Sequence, residues 1–149
     1  LWRRGGSGWL QEETTVIKAP EANPDFNAID RPTVFVNRQD SRLAIINTTG
    51  ILILTTKKGE LERMIPIPNV NGHRPPCVFS PDGKWLLTGD GDGTVWAACL
   101  MSLDRKPIRF DAHIGPIAGL AMSANGRYLA TIGEDNHLRS WRVDGFLKR

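Results

Sequence analysis

Cysteine is scarce in this chain: Cys77 and Cys99 are its only two, they show no C-x-x-C spacing, and both fall in stretches that read as strands. They read as buried, apolar-like thiols in a reducing compartment, which argues against a secreted protein. Long apolar runs are missing too. The longest cluster, Ile51-Leu52-Ile53-Leu54, has strand length and falls far short of the ~18 residues of a membrane span. No signal-peptide pattern occurs, so no membrane partner is expected. The basic excess is slight, a net charge of +3 with a pI near 9.1, and it is scattered in pairs such as Arg3-Arg4, Lys57-Lys58 and Lys148-Arg149. A nucleic-acid groove calls for a denser basic stripe with interleaved aromatics and is not expected here. The expectation is an intracellular protein, cytoplasmic or nuclear.

With 40% apolar and 23% charged residues, the composition is that of a globular chain. The strongest feature is a repeat. Phe79-Ser80-Pro81-Asp82-Gly83-Lys84-Trp85-Leu86-Leu87-Thr88 returns 43 residues later as Met122-Ser123-Ala124-Asn125-Gly126-Arg127-Tyr128-Leu129-Ala130-Thr131, and a weaker copy lies one step earlier at residues 36–45. A period of about 40–45 residues built of short strands and turns is the signature of propeller blades. A blade cannot bury both of its faces alone, so the repeat dictates architecture and points to binding rather than chemistry.

Each unit reads as four strands. Strand a is nearly continuous in apolar residues, Cys77–Phe79 or Ile117–Met122, as suits a strand covered on both faces. Asp82-Gly83 and Asn125-Gly126 follow, a pairing that predicts two-residue hairpin turns with positive φ, whereas Asp40-Ser41 of the first unit predicts another type. Strand b is Trp85–Gly89 or Tyr128–Gly133. A second turn at Asp92-Gly93, Asp135-Asn136 or Thr49-Gly50 leads to strand c, Thr94–Leu100 or His137–Val143. Strand d is proline-marked at Pro66 and Pro107, which fits an outer edge. Trp85 and Tyr128 share one position and are expected to cover the outer edge of their blades.

From Ala112-His113-Ile114-Gly115-Pro116-Ile117 to Leu138-Arg139-Ser140-Trp141-Arg142-Val143, the last unit resembles a repeat of the WD-repeat β-propeller family, with Ala112 and Arg142 departing from its Gly-His and Trp-Asp pairs. The resemblance spans about residues 32–143. It implies an all-β fold, a partial propeller of four-stranded antiparallel blades. It also implies a structural hydrogen-bond set of His113, Thr131, Asp135 and Trp141, in which a His ring bridges a carboxylate and a hydroxyl. The middle unit keeps Thr88 and Asp92 of this set but has Val70 and Ala98 at the other places; the first has Ile29, Ile45, Thr49 and Thr55. Those units are expected to rest on apolar packing, or on His73 acting from a shifted loop. Trp96, two residues before Ala98, is expected to substitute by packing rather than by hydrogen bonding.

The chain divides at residues 1–31, the end of a preceding blade plus an insertion loop; 32–74, blade one; 75–117, blade two; and 118–149, an incomplete blade three. Propellers close with about 4–8 blades. The expectation is therefore an excerpt of a larger ring, with closure by several chains or capping by a partner as alternatives.

No cofactor or metal is expected. Asp90-Gly91-Asp92-Gly93 opens like a calcium loop, but Val95 and Met101 stand where that loop needs glycine and glutamate. His73, His113 and His137 lack zinc-spaced partners. A Ser123–His113–Asp135 triad has no strained nucleophile turn to support it. The glycosylation sequon at Asn47-Thr48-Thr49 lies in a tight turn of an intracellular protein. What remains is a non-catalytic scaffold that presents loops to a protein or peptide partner, through Asn47, Thr48, His73, Arg74, Asp90, Ile114 and Glu134. The alternative is a sensor or substrate-receptor module of a larger multidomain enzyme.

Overall fold

The computed structural model describes residues 2–5, 8–11, 33–40, 42–47, 50–54, 61–65, 74–102 and 105–147. Among the described residues every regular element is a strand. A hairpin pairs β1 (Trp2–Gly5) with β2 (Gly8–Gln11). Blade one follows as β3 (Thr33–Val36), β4 (Leu43–Asn47), β5 (Gly50–Leu54) and β6 (Leu61–Ile65). Blade two is β7 (Cys77–Phe79), β8 (Trp85–Gly89), β9 (Thr94–Cys99) and β10 (Ile108–Asp111). Blade three has β11 (Ile117–Met122), β12 (Tyr128–Gly133) and β13 (Leu138–Arg142). Strands pair antiparallel in chain order in every sheet, the meander that a propeller blade requires. After β13 the described residues 144–147 form a turn.

Successive residues of a strand point to opposite faces, and blade two uses both. Leu86 and Ala98 pack with Ala44, Ile46 and Ile65 of blade one. Leu87, Val95 and Ala97 pack instead with Leu129 and Val143 of blade three. Burying each of these leucines contributes about 2 kcal/mol, so the stack is held by side chains that alternate along single strands. Trp85 belongs to the second cluster and is 5% exposed, not on the outer edge. It shares a face with Leu87, and that face meets blade three; Arg105 lies 5.0 Å over its ring. Tyr128, at the same position one repeat on, is 47% exposed. Cys77 lies in the first cluster, and burial pushes its thiol well above the usual range.

The a–b turns differ from the expectation in length. Ser80 N donates to Trp85 O, closing a four-residue connection, and Gly83 N donates back to Ser80 O. The Ser80 hydroxyl donates to Asp82 Oδ1 and accepts from Trp85 N; Asp82 Oδ1 also accepts from Lys84 N. The Ser123–Tyr128 turn repeats every one of these bonds, with Asn125 in place of Asp82. The serine hydroxyl thus does locally what a second backbone pair would do in a shorter hairpin. Gly83 and Gly126 hold φ of 71° and 68° in these turns. In blade one Asn37 takes the serine's place. It is fully buried, and its Nδ2 donates across to Gly83 O of blade two at 3.2 Å.

Candidate functional site: the fastened turns and the loop rim

The d–a link and the b–c turn of blade three meet over a buried polar chain. Trp141 Nε1 donates to Thr131 Oγ1 at 2.9 Å, and Thr131 Oγ1 lies 2.7 Å from His113 Nε2. His113 Nδ1 lies 2.9 Å from Asp135 Oδ1. The Thr131 hydroxyl accepts from the indole and meets Nε2, while Nδ1 faces both Asp135 Oδ1 and Arg139 Nη1. Asp135 further accepts from Ile114 N, His137 N and Arg139 Nη1. Desolvation acts to raise its pKa, but Arg139, His113 and the two backbone donors outweigh it and hold the carboxyl well below the usual range. A group lowered on folding stabilises above its unfolded value and loses that contribution as pH falls through its folded value. Melting temperature is therefore expected to drop as pH falls from about 4, and Asp135→Asn is expected to flatten that dependence.

Blade two solves the same problem with other residues. Trp96 pairs with Thr88 in register as Arg139 pairs with Thr131, so residues 96 and 139 are equivalent. Trp96 Nε1 donates to Asp90 Oδ2 at 2.8 Å, so its contribution is a hydrogen bond as well as packing. Asp90 Oδ1 accepts from Asp92 N and Thr94 N at 3.0 and 2.8 Å. Asp90 is only 5% exposed and is therefore not a rim residue open to a partner. Its equivalent in blade three is Gly133, where an added Cβ would lie 2.5 Å from His113 Nδ1. At Gly133 a side chain and the His113 ring do not both fit. The sequence signal was an aspartate one repeat before a glycine. Thr88 Oγ1 donates to Pro76 O instead of joining such a chain.

The remaining loop residues divide by exposure. Arg74, Ile114 and Glu134 are exposed, Ile114 to 84%. Asn47 ends β4 and is described in its backbone alone. Thr48 and His73 lie outside the described residues. Along β3, β7 and β11 a groove of about 540 Å³ is lined by Phe35, Val78, Phe79, Leu120 and Met122 together with Asn37, Arg38, Gln39 and Ser80. Among the described residues no three His, Cys, Asp or Glu side chains gather as a metal site needs.

Comparison with known proteins adds three findings. The family model described as WD domain, G-beta repeat matches residues 65–96 and 105–142. Among curated relatives, an uncharacterized WD repeat-containing protein of Schizosaccharomyces pombe is 30% identical over 98 residues, 66% of this chain and 16% of that protein. Protein hir-1 of Neurospora crassa is 40% identical over 78 residues, 46% of this chain and 8% of the relative. Cilia- and flagella-associated protein 57 of Mus musculus is 26% identical over 134 residues, 89% of this chain and 10% of the relative. The chain thus spans 16% or less of the length of these relatives. A chain in a crystal structure of the mitotic checkpoint complex shares the fold, with a TM-score of 0.63 and 23% identity over 74% of this chain and 35% of that one.

Proposed function

The chain belongs to the WD-repeat β-propeller family through its units at 65–96 and 105–142, and we propose that it is a non-catalytic scaffold that docks a protein or peptide partner on its b–c and d–a loops. WD repeats generally serve protein interaction, and the hydrogen bonding within these loops is the observation that carries the proposal. Asp90, Asp135 and the backbone around Gly93 tie each turn to its blade or to the next one, so the exposed residues at the tips are held in place before any partner arrives. Preorganised tips lose little entropy on binding.

The test is capture of the partner by the intact protein. Arg74→Glu or Glu134→Lys is expected to weaken capture at least about tenfold, a loss of ~1.4 kcal/mol, with melting unchanged because both side chains are exposed. Retention of the partner by both variants would count against docking on this face.

A further inference from the structure

An asparagine followed by glycine is the setting in which a backbone nitrogen most readily attacks the preceding side-chain amide, because glycine has no Cβ to obstruct the approach. The chain holds this pair at Asn71-Gly72 and Asn125-Gly126, and the second lies among the described residues. Asn125 is exposed at the tip of the a–b turn of blade three, and Gly126 holds φ at 68°. In the closed turn both reacting groups are engaged. Asn125 Oδ1 accepts from Ser123 Oγ at 2.7 Å and from Arg127 N at 3.0 Å, and Gly126 N donates to Ser123 O at 2.9 Å. The two bonds to Oδ1 lie at the surface, so this turn opens locally without unstacking the blades.

Blade two shows what the same turn does with a carboxylate. Asp82 stands one repeat before Asn125. Its Oδ1 accepts from Ser80 Oγ and from Lys84 N, and Gly83 N donates to Ser80 O, the same bonds that the Asn125 turn makes. Desolvation acts to raise the Asp82 pKa, but the Ser80 hydroxyl, the Lys84 N–H and the Lys84 charge outweigh it and hold the carboxyl below its usual range. The turn therefore favours the charged form, as charge-assisted bonds would. Arg127 occupies the Lys84 position, so a cation stands in the same place beside residue 125.

We infer that Asn125 is a site of spontaneous deamidation, reached when its turn opens, and that the turn closes again around the aspartate product. Gly126 N bonds to Asn125 Cγ, and the amide nitrogen leaves as ammonia with the hydrogen that Gly126 N gives up. Water then adds to Cγ of the resulting ring. The bond from Cγ to Gly126 N breaks, that nitrogen regains a hydrogen, and the side chain becomes a carboxylate. Attack of water on the other ring carbonyl gives isoaspartate, which adds a main-chain carbon inside the turn and does not fit its bonds. Ser123 is a positioning residue for this reaction, because its hydroxyl and its carbonyl engage the two reacting groups while the turn is closed. The product adds one negative charge to a groove of about 470 Å³ between the two a–b turns, lined in part by Asp82, Trp85, Asn125 and Arg127.

Peptide mapping by mass spectrometry tests it, on the intact protein incubated at mildly alkaline pH beside a synthetic peptide of residues 121–129. The fragment that carries Asn125 is scored apart from the one that carries Asn71. Conversion is expected at Asn125 in the folded protein, more slowly than in the free peptide. Ser123→Ala is expected to convert several-fold faster than the parent, and Asn125→Gln to abolish conversion at that residue. Asn125→Asp, the product made directly, is expected to melt no lower than the parent. Absence of conversion at Asn125 in the folded protein, once the free peptide is fully converted, overturns the inference. So does a rate that Ser123→Ala leaves unchanged. A lower melting temperature for Asn125→Asp overturns it as well, since the turn would then not close on the product.

Discussion

Replacing Gly93 with alanine is expected to destabilise the protein by more than about 4 kcal/mol, among the larger effects a single substitution produces. Two causes act together. Gly93 holds φ at 91°, a left-handed conformation that L side chains resist. An added Cβ would also lie 2.0 Å from His113 O and 2.8 Å from Gly115 O. Both obstacles are backbone, so they cannot step aside as a side-chain end would. Moving them breaks the paired bonds from Ala112 N and His113 N to Gly93 O, which join blade two to blade three. Asparagine separates the causes. Asn136, the equivalent residue in blade three, adopts φ of 60°, so asparagine accepts the conformation. Gly93→Asn should therefore remain strongly destabilised if the close approach dominates, and recover most of the loss if φ strain does. Chemical denaturation of the three proteins decides it, and a cost for Gly93→Ala below about 1 kcal/mol would show that the blades are not joined there.

How far the sequence revealed this joint depends on what kind of contact makes it. The repeat of 43 residues, with turn residues at fixed places inside it, is enough to mark strands at residues 85–89 and 128–133, because the turns on either side set their bounds. It is also enough to line up His113, Thr131, Asp135 and Trp141 by resemblance, and the structure brings those four side chains within hydrogen-bond reach. Spacing says nothing, however, about which of two carboxylates at a turn folds inward. Asp90 and Asp92 stand two residues apart in the same turn, and Trp96 Nε1 and the N–H groups of Asp92 and Thr94 converge on Asp90. That convergence exists only once the strands are paired. The length of the a–b turn is hidden for a related reason. Asp-Gly suits a two-residue hairpin, but the Ser80 hydroxyl takes over the inner bonds and lengthens the connection.

The second large effect falls on Trp141. Its indole donates to Thr131 Oγ1 at 2.9 Å, packs at 5.0 Å between centroids on Phe110 of blade two, and leans on the cluster around Leu129 and Val143. It therefore joins the polar chain of blade three to the apolar interface between blades. Trp141→Ala empties that volume and removes one donor, for a loss on the order of 3–5 kcal/mol. Trp141→Phe keeps most of the packing and removes only the N–H, so its cost should be nearer 1 kcal/mol. The Thr131 hydroxyl would still reach His113 Nε2 in that variant, which leaves no buried group stranded. In blade two the roles are differently divided. Trp96→Phe strips Asp90 of its indole donor and leaves a buried carboxylate supported by two backbone N–H groups alone. Its cost should exceed that of Trp141→Phe, since losing a hydrogen bond to a charged acceptor costs more than losing one to a neutral hydroxyl. Equal losses for the two phenylalanine variants would mean that the Asp90–Trp96 bond does not fasten blade two.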